Sequence, residues 1–176
     1  MTTLYRISGE VIGIGESTRA ICEANKHVLL EADMRNADLW HAKLHGAHLC
    51  GANLQHAELN GANLRMANLM SADFSFSCLS DVDFYAACMK DAMFRGARLN
   101  WNSRDLICEI LRQHAFKDEH YALLGIVYFQ TDLCWNEISW KEHPAKFWAM
   151  KTLTYYRQPS DGHPELLDAY AEVEDE

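Results

Sequence analysis

A mainly β chain with a helical end, built as a stacked repeat array followed by a small all-α module, is what three features of this sequence predict. Every fifth residue from Met34 to Leu99 is Leu, Phe or Met. The residue two places before each of these is Ala, broken only by Ser77 and Val82. From residue 102 the five-residue period stops and a helical period begins. A period of five fits neither a helix nor a flat strand: a helix would advance it by about 500° per repeat and smear it round the axis. A strand would send successive centres to opposite faces. A chain that turns roughly 90° every five residues instead points each centre and each Ala inward, leaving three positions outward.

The units run without insertion as ADMRN, ADLWH, AKLHG, AHLCG, ANLQH, AELNG, ANLRM, ANLMS, ADFSF, SCLSD, VDFYA, ACMKD, AMFRG and ARLNW, over residues 32–101. This pattern resembles the pentapeptide repeat family, whose motif is A(D/N)LXX, over roughly two fifths of the chain. The resemblance implies a right-handed quadrilateral β-helix with four repeats per coil, so that residues twenty apart stack. It then implies four internal ladders. Two hold four members each: Met34, Leu54, Phe74 and Phe94, and Leu39, Leu59, Leu79 and Leu99. The others are Leu44, Leu64 and Phe84, and Leu49, Leu69 and Met89. Fourteen units make about three and a half coils, a tower about 17 Å tall at strand spacing.

Residues 1–31 hold two β-like runs, Leu4 to Ile7 and Val11 to Ile14, around Ser8-Gly9. They read as a hairpin or first irregular coil, and as the N-terminal cap that a bare β-helix end requires. Residues 102–176 form the helical module. Asn102 and Ser103 cap a helix with Leu106, Ile107, Ile110 and Leu111 on one face. Asp118 caps a second over 119–130, apolar nearly all round and so expected at the module's centre. A third short helix holds Trp135 and Ile138. His143-Pro144 opens a fourth, with Pro144 at its first position and Phe147, Met150, Lys151 and Thr154 on a common side. His163-Pro164 starts a last one before the acidic end AEVEDE. Trp101, Trp135, Trp140 and Trp148 supply aromatic mass for an independent core. The segment SRDLICEILRQ is similar to helical extensions of some pentapeptide repeat proteins, which implies that it covers the second end of the tower and offers a homodimer contact.

With 176 residues, 49% of them hydrophobic, the chain can bury a real core. No apolar run reaches the length of a membrane span, the longest being Tyr121 to Phe129. MTTLYRISGE lacks the basic start and apolar stretch of a signal peptide, so a cytoplasmic protein without membrane contact is expected. Cys22, Cys50, Cys78, Cys88, Cys108 and Cys134 are scattered without CxxC, which suits reduced thiols.

Enzyme chemistry finds little support. His41, His45 and His48 fall on three successive faces of the repeat register, so they do not converge on a metal. His114 and His120 lack an HExxH pattern, and no GxSxG, Walker loop or GxGxxG is present. Cys78 and Cys88 stand where Asp or Asn usually precedes a centre. Asp33, Asp38, Asn53, Asn63, Asn68, Asp73 and Asp83 at that position are placed to hydrogen-bond their own backbone turns. No catalytic residue, cofactor or metal is expected.

Recognition by surface remains. Characterised members of the family include proteins that resemble B-form DNA in width and charge and bind DNA gyrase or topoisomerase in its place. The resemblance therefore implies an inhibitor or modulator of a nucleic-acid-handling protein, gyrase-like or a phage counter-defence target, acting by acidic mimicry. The alternative is a generic interaction scaffold. The chain carries a net charge of −9, but residues 32–101 hold seven acidic and six basic side chains. Residues 102–176 hold fourteen acidic and seven basic ones, so most of the charge lies outside the repeats. Direct nucleic-acid binding is disfavoured by that balance. The candidate partner-binding residues are the outward aromatics Trp40, Phe76 and Tyr85 and the acids Asp33, Asp38, Glu58 and Asp73.

Overall fold

Two short β-like runs around a glycine make a hairpin when the glycine can take a left-handed turn, and Gly9 does so at φ +89°. In the computed structural model, which describes residues 1–129, 143–158, 164 and 167–171, β1 (Thr2–Arg6) and β2 (Val11–Gly15) pair antiparallel with a bulge that leaves Ile12 unmatched. The chain divides into two compact units, Met1–Asn100 and Trp101–Glu176. The N-terminal residues are thus joined to the repeats, and Trp101, the last residue of the ARLNW unit, goes with the helical unit.

A helix that the sequence reading missed follows the hairpin. Ser17 caps α1 (Thr18–Ala24), its side chain accepting the Ala20 N–H at 3.1 Å. α1 lies so close to the hairpin that a Cβ at Gly13 or Gly15 would stand 2.9 or 2.8 Å from the Ile21 side chain. A short 3-10 turn at Lys26–Val28 leads to β3 (Ala32–Asp33), which pairs antiparallel with β1. The period also begins one unit earlier than expected. Leu29 is fully buried, Ala32 N–H donates to its carbonyl as later alanines do to their preceding centres, and Glu31 takes φ +52° like the fifth residues that follow. The missing signal was Ala, since His27 occupies its place.

From Asp33 onward parallel bridges join residues twenty apart: Asp33, Asn53, Asp73 and Met93 form one row, and Asp38, Glu58, Cys78 and Arg98 the next. One unit accounts for all five of its N–H groups. Ala62 donates to Leu59 O at 2.8 Å, closing the turn; Asn63 donates back to Ala42 O and Leu64 forward to Asp83 O, both at 2.9 Å. Arg65 N–H goes to the Asn63 side chain at 3.1 Å, and Met66 N–H to Tyr85 O at 2.9 Å. The motif follows from this accounting: a small inward residue, a short amide or carboxylate to hold the turn, and an apolar centre.

The predicted ladders Met34, Leu54, Phe74, Phe94 and Leu39, Leu59, Leu79, Leu99 are all buried. Phe74 stacks on Phe94 with ring centroids 5.5 Å apart. Ala87 alone among the repeat alanines is only half-buried. At the first coil, whose backbone would otherwise lack partners, the Glu23 carboxylate accepts Lys43 N–H and the Lys26 carbonyl accepts His48 N–H, at 2.8 and 2.7 Å.

In the second unit Ser103 caps α2 (Arg104–His114), which buries Leu106, Ile107, Ile110 and Leu111. α3 spans Asp118–Phe129. It is not buried all round as expected: Leu123 and Val127 are buried, but Tyr121 and Ala122 face solvent. Pro144 precedes rather than opens α4 (Lys146–Thr154), whose buried side is Ala149, Met150, Thr152 and Leu153. Phe147 is exposed although Met150, one turn on, is buried: α4 carries apolar residues on most sides, and the buried one is centred on Ala149, Met150 and Leu153. α5 (Asp168–Ala171) follows, tied to Arg157 by an Arg157–Asp168 ion pair. The expected Trp135 and Ile138 helix, Trp140, His163 and all of the acidic end but Ala171 lie outside the described residues.

Candidate interaction surface of the repeats

With the first and third residues of each unit inside, the surface is written by the second, fourth and fifth. Each second-position Asp or Asn spends an oxygen on its own turn. Asp33, Asp38, Asn53, Asn63, Asn68, Asp73 and Asp83 each accept the N–H two residues on, at 2.9 to 3.4 Å. The other oxygens are largely engaged as well. Arg35 grips Asp33 with two bonds at 2.7 and 2.8 Å, and this pairing holds the Asp33 carboxyl below the usual carboxylate range. Gln55 donates to Asp73 at 2.5 Å, Asn60 to Glu58 at 3.3 Å, and Arg65 pairs with Asp83 at 3.1 Å. Asp33 and Asp73 share a row with Asn53 between them, whereas Asp38 and Glu58 lie on the next row, above Cys78 and Arg98. Burial, and then the Glu58 carboxylate, push the Cys78 thiol up.

Trp40, Phe76 and Tyr85 are each 51% exposed, and the register sets them on three different sides of the stack. Each has a structural neighbour. The Phe76 ring lies parallel to His56 at 5.1 Å and over Gly96, where a Cβ would stand 2.6 Å from it. Arg65 covers the Tyr85 ring at 4.4 Å. The Trp40 ring meets His41 edgewise at 5.6 Å, while its carbonyl accepts from Arg19 at 2.8 Å. An open polar cleft beside Trp40 is lined by Thr2, Glu16, Ser17, Thr18, Arg19 and Asp38.

His41 sits over Gly61 and His48 meets His27 edgewise. Among the described residues no three His, Cys, Asp or Glu side chains gather as metal ligands do. In the second unit His120 is buried, stacked on Trp148 at 3.8 Å and flanked by Phe116. Its Nδ1 accepts the Phe116 N–H at 3.4 Å, and burial pulls its pKa down. No described helix is long and apolar enough to cross a membrane.

Sequence reasoning missed the apolar outer side of the N-terminal sheet. Tyr5, Val11 and Ile14 are 47%, 51% and 63% exposed. The signal was present in the alternation of Leu4, buried, with Tyr5, exposed.

Comparison with known proteins matches residues 32–69 and 51–84 to the family model for pentapeptide repeats, in eight copies. Among solved structures, the pentapeptide repeat protein Rfr23 from the cyanobacterium Cyanothece 51142 is 32% identical over 37% of this chain and 45% of that one, with a TM-score of 0.36. HetL, a pentapeptide repeat protein involved in heterocyst differentiation regulation from Nostoc sp. strain PCC 7120, is 35% identical over 39% and 36%, with a TM-score of 0.25. The match therefore spans less than half the length of either protein. No curated protein matches the chain.

Proposed function

We propose, for a chain whose repeats belong to the pentapeptide repeat family, a non-enzymatic role as a rigid protein-binding scaffold built on a right-handed quadrilateral β-helix. Pentapeptide repeats are interaction modules as a kind. The observation that carries the reading is the division of labour on the surface. Asp33, Asp73 and Asp83 are engaged both by their own turns and by Arg35, Gln55 and Arg65, while Trp40, Phe76 and Tyr85 stand half-exposed on rigid backbone. Half-exposed aromatics on a backbone that costs nothing further to order suit partner anchoring better than charge display.

A second reading is favoured by the net charge of −9. In it the chain inhibits or modulates a nucleic-acid-handling protein such as DNA gyrase, a topoisomerase or a phage counter-defence target by partial acidic mimicry, the acidic residues of 102–176 supplying the field. A cytoplasmic location and a homodimer through the helical unit belong to the same proposal. The discriminating experiment is a pull-down from native-host lysate eluted in salt steps, repeated with Trp40→Ala, Phe76→Ser and Tyr85→Ser combined. A partner that resists salt and is lost with the triple variant supports the scaffold. A gyrase-like partner released at moderate salt and indifferent to the triple variant overturns it in favour of mimicry.

A further inference from the structure

We propose that the free edge of β2, together with the apolar outer side of the N-terminal sheet, is a docking site for an extended segment of a partner protein. That segment alternates apolar with polar residues and carries Lys or Arg at its ends, and it adds to the sheet as one more strand.

β1 pairs with β3 through Tyr5 and Asp33, and Asp33 begins the row continued by Asn53, Asp73 and Met93. The same side of the repeat stack therefore runs upward as one sheet surface through β1 to β2. There it stops: β2 is the terminal strand of the order β2, β1, β3. The strand Val11 to Gly15 contains no charge and no Pro, so of the usual guards of a sheet edge it keeps only the bulge at Ile12. Its two glycines do not serve as guards, since both are required by the Ile21 side chain that presses on the opposite face. What the outer face offers is Val11 and Ile14 on β2 with Tyr5 across from Val11 on β1. Alternate side chains of an added strand would rest on these, while its backbone completes the ladder.

Charge selects the occupant. Glu16 and Glu10, the latter already ion-paired with Arg6 at 3.0 Å, bracket the strand, so Glu16 is the stronger of the two contacts. A second copy pairing antiparallel about Gly13 would set Glu10 against Glu16 at both ends, on top of the repulsion between two chains of net charge −9; like charges directly opposite destabilise a strand pair. A segment with basic ends meets these carboxylates favourably. This site is separate from Trp40, Phe76 and Tyr85, so it stands or falls independently of the scaffold reading.

The test is to pan a random library of short extended peptides against the full chain, then to measure binding of the enriched sequence as a fluorescent synthetic peptide. The expected winners alternate apolar residues between flanking Lys or Arg. The bound peptide slows amide exchange across residues 11–15, and Ile14→Lys weakens binding by about tenfold or more. Glu16→Lys weakens it and reduces its salt dependence, which keeps the test sound should Ile14→Lys disturb the hairpin. Met66→Lys, at another exposed apolar position, and Phe76→Ser leave binding unchanged. Three results each overturn the proposal: no enrichment of this pattern, protection that falls elsewhere, or a concentration-dependent dimer that Ile14→Lys dissolves, which would make the occupant a second copy.

Discussion

Gly96→Ala should cost more than an alanine at a left-handed turn normally does, and the excess should disappear when Phe76 is shortened. Gly96 holds φ +67°, and ten of the fifth positions before it, counting Glu31, tolerate a side chain in the same conformation. The backbone share of the cost is therefore about 1–2 kcal/mol. The second share comes from space. An added Cβ would lie 2.6 and 2.7 Å from Cδ1 and Cε1 of Phe76, so the ring must move by roughly 1 Å to restore contact distance. Moving it breaks the stack with His56 at 5.1 Å, a loss of about 0.5–1.5 kcal/mol. The substitution should cost about 2–3 kcal/mol in the natural chain, and only the backbone share in a Phe76→Ala background. Because the two units need not unfold together, the quantity to read is amide exchange of the buried centres Leu64 and Leu69 rather than a whole-chain melt. Equal costs in the two backgrounds would refute the argument that Phe76 occupies the space above Gly96.

Three further outcomes follow from the geometry. Asn63→Ala removes the acceptor of Arg65 N–H and should destabilise the repeats by about 1 kcal/mol, whereas Asn63→Asp, which keeps the acceptor, should cost far less; exchange of the Arg65 amide reports both. Ser103→Ala deprives α2 of the oxygen that accepts Leu106 N–H at 3.3 Å and should cost the second unit about 1 kcal/mol, read by urea unfolding followed by exchange within residues 104–114. His120 titrates below the ordinary imidazole value because it is buried, so its neutral form is the one the fold favours. That contribution is complete above pH about 6.5 and is lost as the pH falls through the lower folded-state value, the unfolded chain binding more protons in that window. Stability of the second unit should rise with pH there by no more than about 1.4 kcal/mol per unit. His120→Phe should flatten the profile, and an unchanged slope would sink the assignment.

The inward half of the repeats was legible because a period repeated over fourteen units averages out local exceptions: Ser77 and Val82 are buried although neither is Ala. The Asx turns were legible for the same reason. What escaped is what occurs once. The Leu29 unit lacks its Ala, and α1 is announced by little more than Ser17, whose cap needs the structure to identify its acceptor bond. In the helical unit the period located α2 correctly, since its apolar stripe is narrow. α3 and α4 carry apolar residues on most sides, so the pattern did not say which side is buried: Tyr121 and Phe147 face solvent. The surface rows could be listed in advance but not their pairing, because Gln55 and Arg65 reach the carboxylates of Asp73 and Asp83 only once the coils are stacked.

This asymmetry bears on where specificity can reside. In a unit that obeys the motif, the first and third residues are consumed by the core, the second by its turn, and the fifth is held at positive φ, so only the fourth is free to vary. Trp40 and Tyr85 are fourth-position residues, and Phe76 is a bulky residue at a fifth position, where the left-handed backbone disfavours it. Second positions that depart from Asp or Asn are similarly informative. At Cys78 the turn loses its own acceptor, and the neighbouring Asn60 side chain supplies one to Ser80 N–H at 3.2 Å. A departure maintained at the expense of a repeat bond, or compensated by the next coil, is a surface feature that the fold itself does not require. On that ground the row Glu58, Cys78 and Arg98 and the aromatics Trp40, Phe76 and Tyr85 outrank Asp33 and Asp73 as places where a partner would be read, because the two aspartates already do all that their motif position asks of them.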